Sequence, residues 1–170
     1  MPFKPQAFIF DAYGTLLDVH SVVEREQANI PGDCRPFRRY GGRSNSNTPG
    51  RALMGRYEDF WQVTEAPLRF AVRRLSINAT ESQLERLMEA YLSPAAFDDA
   101  RSALTALKGS PLAILSNGSP RMLDSAVRNN GLESYFAEII SVDKVKTYKP
   151  SPRIYALLNL TAGATDLEQK

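Results

Sequence analysis

The stretch Phe8-Ile9-Phe10-Asp11-Ala12-Tyr13-Gly14-Thr15 constrains the fold more than any other part of the chain. Ala7 to Phe10 is a short apolar run with aromatic and β-branched members, bounded by polar residues and by Gly14. It predicts a buried parallel strand. Asp11 falls at the C-terminal end of that strand, the end at which open α/β sheets bind ligands. A carboxylate in that place is costly unless something pairs it or uses it. Gly14 permits a sharp turn, and Thr15 offers a hydroxyl and a backbone N–H to the same spot. An aspartate that merely opens a turn after a strand would leave the same letters.

Two later runs share this form. Leu112 to Leu115 is apolar and ends in Ser116-Asn117-Gly118; Ile139-Ile140-Ser141-Val142 is followed by Lys149-Pro150. Helical patterns separate the runs. His20 to Gln27 begins a helix that meets Pro31-Gly32, and Arg51 to Val63 sets Leu53, Met54, Tyr57, Phe60 and Trp61 at helical spacing. Thr64 is expected to cap a further helix running to Leu75, with Pro67 in its first turn. Thr80-Glu81-Ser82-Gln83 carries the capping-box pattern ahead of Leu84, Leu87, Met88 and Tyr91. Further helices are expected over Phe97–Leu107, stopped by Gly109; from Pro120, capped by Ser119, to about Gly131; and from Ser151-Pro152 through Tyr155. Alternating strands and helices imply an α/β fold with a parallel sheet.

Residues 35–50 differ from the rest. Arg35, Arg38, Arg39 and Arg43 stand among Pro36, Gly41, Gly42, Pro49 and Gly50, with no helical or strand period. Such a segment buries too little to offset ordering entropy and reads as loop or disorder, with a phosphate or nucleic-acid patch as the other reading. The net charge is only +2, which supplies no strong field for nucleic acid, and no such partner is expected. The single His20 cannot build a Ser-His-Asp triad or a His-rich zinc site. The lone Cys34 fits a reducing compartment, and no signal peptide or membrane span is recognisable. A cytoplasmic protein without a membrane partner is the expectation.

Asp, Ser and Lys, each after a strand and in that order, resemble the haloacid dehalogenase superfamily. The spelling D-A-Y-G-T-L-L-D-V-H, L-S-N-G-S-P and Y-K-P-S-P-R-I-Y is similar to its L-2-haloacid dehalogenase branch over residues 7–24 and 51–155. The resemblance implies a doubly wound parallel sheet with a small helical cap inserted after the first strand. Core sequence would occupy 1–20 and 95–170, and the cap 21–94 with an irregular 33–50. It implies hydrolysis of an (S)-2-haloacid to an (R)-2-hydroxy acid and halide through an Asp11 ester. Thr15 and Ser116 would position carboxylates, and Lys149 and Tyr155 would support Asp11. Tyr13, Phe60, Asn117 and Gly118 would line the substrate pocket, with Asn117 and Phe60 at the halide. The partner is a small 2-haloalkanoic acid, and the cap helices offer a homodimer contact.

Tyr13 separates the reaction classes. The superfamily's phosphatases resemble D-x-D, with a second carboxylate that donates a proton and helps to hold Mg²⁺. A phenol in that position disfavours a small-metabolite phosphatase, so neither metal nor cofactor is expected. The branch also carries a W-R-Q-K-Q helix whose arginine meets the halide, where this chain has Tyr40-Gly41-Gly42-Arg43-Ser44. A basic insert of matching length between well-matching flanks reads as out-of-frame translation. The family's fourth motif, S-S-N-x-x-D, is expected beyond residue 170, which would leave the last part of the core missing and one side of the sheet open. Weak turnover, or an inactive truncated member, is the corresponding expectation.

Overall fold

The computed structural model describes residues 5–26, 29, 57–74 and 76–165, with side chains through 158. The elements in chain order are β1 (Phe8–Phe10), β2 (Leu17–Asp18), α1 (Val19–Glu26), α2 (Phe60–Arg74), α3 (Glu81–Ala90), β3 (Ala95–Ala96), α4 (Ala100–Ala106), β4 (Leu112–Ser116), α5 (Pro120–Asn129), β5 (Glu138–Ser141) and α6 (Pro152–Thr165). Short 3₁₀ turns occupy Glu133–Tyr135 and Val142–Val145. Among the described residues no helix is long and apolar enough to cross a membrane.

Three parallel strands form the sheet, in the order β1-β4-β5. Ile9 pairs with Ala113, and Ile114 with Ile139. Each of the three apolar runs is therefore a strand, as their β-branched and aromatic content predicts. The expectation of a fully buried first strand is corrected. Among the described strands β1 is an edge, and Ile9 is 46% exposed because nothing described covers that side. Val142 also leaves the third run and opens the 3₁₀ turn.

The turn after β1 winds around one carbonyl. Ala12 O accepts from the amides of Thr15, Leu16 and Leu17 at 3.3, 2.9 and 3.0 Å. Gly14 takes φ +83°, which a side chain would strain, so glycine is needed there. The Thr15 amide is thus engaged locally rather than turned toward a ligand. Leu17 then pairs antiparallel with Ala96, and the Phe97 amide donates to Leu16 O at 3.0 Å. This two-stranded piece closes the base of the helical segment between β2 and β3. Two residues per strand carry too little pattern to be seen in sequence.

The break expected at Thr64 does not exist. One helix runs from Phe60 to Arg74 with Pro67 inside it, and the Thr64 hydroxyl donates back to Phe60 O at 2.7 Å instead of capping forward. Phe60, Val63, Thr64, Leu68 and Ala71 form one continuous buried face, and its burial outweighs the backbone bond that Pro67 cannot make. The helix start is capped by Asp59, whose Oδ1 accepts from Gln62 N at 2.9 Å. Residues 51–56 and Leu75 of the expected helices, and the irregular 33–50, lie outside the described residues.

The capping box of α3 is present, with Thr80 Oγ accepting from Gln83 N at 3.3 Å and Gln83 Oε1 from Thr80 N at 2.8 Å. Arg25 reaches from α1 to the carbonyls of Ala90 and Ser93 and closes the other end of α3. One further boundary is corrected: Phe97 precedes the turn at 98–99, and α4 begins only at Ala100. Ser119 is the N-cap of α5, which starts at Pro120 as expected, but its side chain makes no cap bond. Buried residues from both sides of the molecule share the same clusters. Phe60, Leu68, Leu87 and Tyr91 pack with Leu112, Ile114, Met122 and Leu123, and Val63 packs with Leu115, Ile140, Tyr148 and Ile154.

Candidate active site

Parallel pairing brings the C-terminal ends of all three strands to one crevice, and the functional side chains follow from that register. Asp11 leaves β1 directly. Its Oδ1 accepts from the Ala12 amide at 2.8 Å and faces Lys149 Nζ at 2.8 Å. Its Oδ2 has no partner among the described residues. Lys149 is one-fifth exposed and Asp11 two-fifths, so the pair is shielded on the lysine side and open on the carboxylate side. The ammonium also donates to Leu115 O at 3.0 Å. Leu115 lies one residue before the end of β4, so the sheet itself fixes the lysine head.

Ser116-Asn117-Gly118 forms the second corner. Ser116 is buried, and its Oγ accepts from the Gly118 amide at 3.3 Å. Asn117 Oδ1 accepts from the Lys149 amide at 2.9 Å, so the β4 loop holds the lysine backbone as well as its ammonium. Asn117 Nδ2 has no partner among the described residues and remains a free donor. Buried Ser141, at the end of β5, donates to Gly118 O at 2.6 Å and pins the loop from the third strand. A Cβ on Gly118 would lie 2.8 Å from Tyr13 Cε2 and 2.9 Å from Leu123 Cδ2, so only glycine fits between ring and helix.

The apolar wall is Tyr13 against Phe60, stacked with ring centroids 6.0 Å apart. Both are almost wholly buried. The Tyr13 hydroxyl is buried without a hydrogen-bond partner among the described residues, and burial pushes its pKa well above the ordinary phenol value. It is therefore a neutral phenol. Such an orphaned group is rare in a native interior.

The residues singled out in the sequence thus fall into two sets. Asp11, Tyr13, Phe60, Ser116, Asn117, Gly118 and Lys149 meet around the crevice through the contacts above. Thr15 is exposed, two turn positions beyond Tyr13, with its amide spent on Ala12 O. Tyr155 is 46% exposed and makes no hydrogen bond to Asp11. Ser141 and Tyr148 also bear on the site, though no sequence motif assigns either a role there. Tyr148 directly precedes Lys149, and that adjacency was the available signal.

A metal of the kind used by the superfamily's phosphatases does not suit this donor set. Two residues past Asp11 stands a buried phenol instead of a carboxylate, and among the described residues no three His, Cys, Asp or Glu side chains converge.

The family model described as haloacid dehalogenase-like hydrolase matches residues 5–158. The (S)-2-haloacid dehalogenase of Pseudomonas sp. (strain YL) is 42% identical over 157 residues, covering 91% of this chain and 68% of that one. The (S)-2-haloacid dehalogenase of Xanthobacter autotrophicus is 39% identical over 164 residues, covering 96% and 65%. A solved structure of L-2-haloacid dehalogenase from Xanthobacter autotrophicus with chloropropionic acid covalently bound superposes with a TM-score of 0.82 at 38% identity, over 93% of this chain and 65% of that one. The chain spans about two thirds of the length of these relatives.

Proposed function

The chain belongs to the haloacid dehalogenase-like hydrolases, and from that premise we propose that its site hydrolyses (S)-2-haloacids to (R)-2-hydroxy acids and halide. The observation that carries the reading is the Asp11–Lys149 pair with Tyr13 where a phosphatase would need its second acid. The relatives named as (S)-2-haloacid dehalogenases, and the chloropropionic acid covalently bound in one of them, support the same chemistry.

The steps follow from what each group offers. Lys149 holds Oδ1 of Asp11 and leaves Oδ2 to attack. Oδ2 displaces halide at C2 from the opposite face, so a C–O bond forms as the C–halogen bond breaks and the centre inverts. The charge of Lys149 offsets the repulsion between Asp11 and the substrate's carboxylate. The Ser116 hydroxyl and the free amide of Asn117 hydrogen-bond the substrate carboxylate or the departing halide. The Tyr13–Phe60 wall keeps water from the haloalkyl carbon. Water then attacks the Asp11 ester carbonyl, releases the hydroxy acid and a proton, and returns the carboxylate. The helices between β2 and β3 serve as the cap over this crevice.

Chloride release from the separate enantiomers of 2-chloropropionate tests the proposal. Slow turnover of the (S) form to (R)-lactate is expected, with the (R) form unreacted. Equal use of both enantiomers, or retention at C2, contradicts it.

A further inference from the structure

Tyr148 is fully buried in the cluster of Val63, Leu115, Ile140, Val142 and Ile154, with its ring 5.1 Å from that of Tyr57. Its hydroxyl accepts from the Glu58 amide at 3.2 Å and donates to the Glu58 carbonyl. Glu58 stands one residue ahead of Asp59, the cap of α2, and two ahead of Phe60, the wall over Tyr13. On the other side Tyr148 is covalently joined to Lys149, whose amide is held by Asn117 and whose ammonium is held by Leu115 and Asp11. A second bond crosses the same seam, from the Tyr57 hydroxyl to Asp143 Oδ1 at 2.6 Å.

The ring of Tyr148 fills space that a phenylalanine would fill equally well. What phenylalanine lacks is the hydroxyl, and a buried hydroxyl is tolerated only where it is satisfied. This one takes both partners from the backbone of one residue across the seam, so it reads position rather than side-chain identity. We propose that Tyr148 is a positioning residue of this site, whose hydroxyl locks the entry of α2 to the Lys149 loop so that the Phe60 wall and the lysine hold one spacing. The inference rests on Asp11 and Lys149 being the reacting pair only for its effect on turnover; the lock itself stands on the contacts above.

Amide hydrogen exchange, read residue by residue, tests the lock without requiring activity. In the unmodified chain the Glu58 amide is expected to be protected and to exchange with that of Lys149 as one unit. Free exchange at Glu58 would overturn the proposal even if no variant folds. In Tyr148→Phe, exchange at Glu58 and Lys149 is expected to quicken about tenfold relative to Ile114 and Ile140 in the sheet. An equal quickening at all four positions means general loss of stability and overturns it, as does no change at Glu58 and Lys149. In turnover of (S)-2-chloropropionate, kcat of Tyr148→Phe is expected to fall about tenfold with a smaller change in KM. A chain with no turnover before substitution contradicts the proposed function and leaves the exchange rates to decide the lock.

Discussion

The sheet side and the helical side of the crevice are built on different principles. On the sheet side the functional groups are fixed by backbone and by one another, within bonds that start at the strand ends. Asp11 is held by the next amide, and Lys149 by the Leu115 carbonyl and by Asn117 at the end of the same strand. On the helical side the contribution is a single apolar ring, Phe60, and its location depends on side chains that cross the seam. Tyr148 meets Glu58, Tyr57 meets Asp143, and the Arg121 guanidinium lies 4.9 Å from the centroid of the Trp61 ring. The sheet thus carries the reactive charges where geometry must be exact to tenths of an ångström. The helices carry shape, and shape tolerates adjustment. Substitutions on the two sides should therefore separate chemistry from stability.

The largest effect is expected from Asp11→Asn. A neutral amide is a poor nucleophile, so turnover should drop by several orders of magnitude while the melting temperature changes far less, because the Asp11 side chain is two-fifths exposed. Leu87→Ala should do the reverse. Leu87 is fully buried on the helical side, and its truncation should cost about 2–5 kcal/mol of stability with kcat per folded molecule nearly unchanged. A melt and an active-site titration of both variants would show whether the two sides separate in this way.

Gly118→Ala sits where the sides meet. The new methyl would press on Tyr13 from the sheet loop, costing about 1–3 kcal/mol and disturbing the Tyr13–Phe60 wall. It should lower both the melting temperature and kcat/KM. An effect on stability alone would mean that the wall is not part of the pocket.

The smallest effect concerns acid. Lys146 first, and then the Tyr57 hydroxyl, hold the Asp143 carboxyl below its ordinary range. A depressed folded-state pKa gives stability that is complete above the unfolded value, about 4, and is lost as pH falls through the folded value. The difference in melting temperature between the parent chain and Asp143→Asn should therefore stay constant from neutral pH down to about 5 and close below about 4. A difference that persists in acid would mean that Asp143 contributes through packing rather than charge.

Sequence made the sheet side legible and the helical side much less so. Three apolar runs ending in Asp11, Ser116 and the approach to Lys149 name both the strands and the chemistry, because strand ends converge by topology. The capping box at Thr80 was equally readable, since its two bonds are local. The pattern Thr64-Glu65-Ala66-Pro67 misled because it matches a helix start, whereas the buried face from Phe60 to Ala71 decides and is set by packing far along the chain. The two-residue pairing of Leu17-Asp18 with Ala95-Ala96 had no pattern long enough to see. The role of Tyr148 is illegible in sequence for a similar reason. Its role lies in a bond to a residue ninety positions away, which no local spacing encodes.

The central claim is that Asp11 itself forms a bond to the substrate, and isotopic labelling in a single turnover tests it most directly. The protein, in excess over (S)-2-chloropropionate, would be incubated in ¹⁸O-water, and both the lactate and the peptide carrying Asp11 would be weighed by mass spectrometry. Attack by Oδ2 followed by hydrolysis of the ester predicts one ¹⁸O in the Asp11 carboxylate and unlabelled oxygen at C2 of the lactate. Label at C2 of the lactate with none in Asp11 would mean that water attacks carbon directly, and would contradict the account.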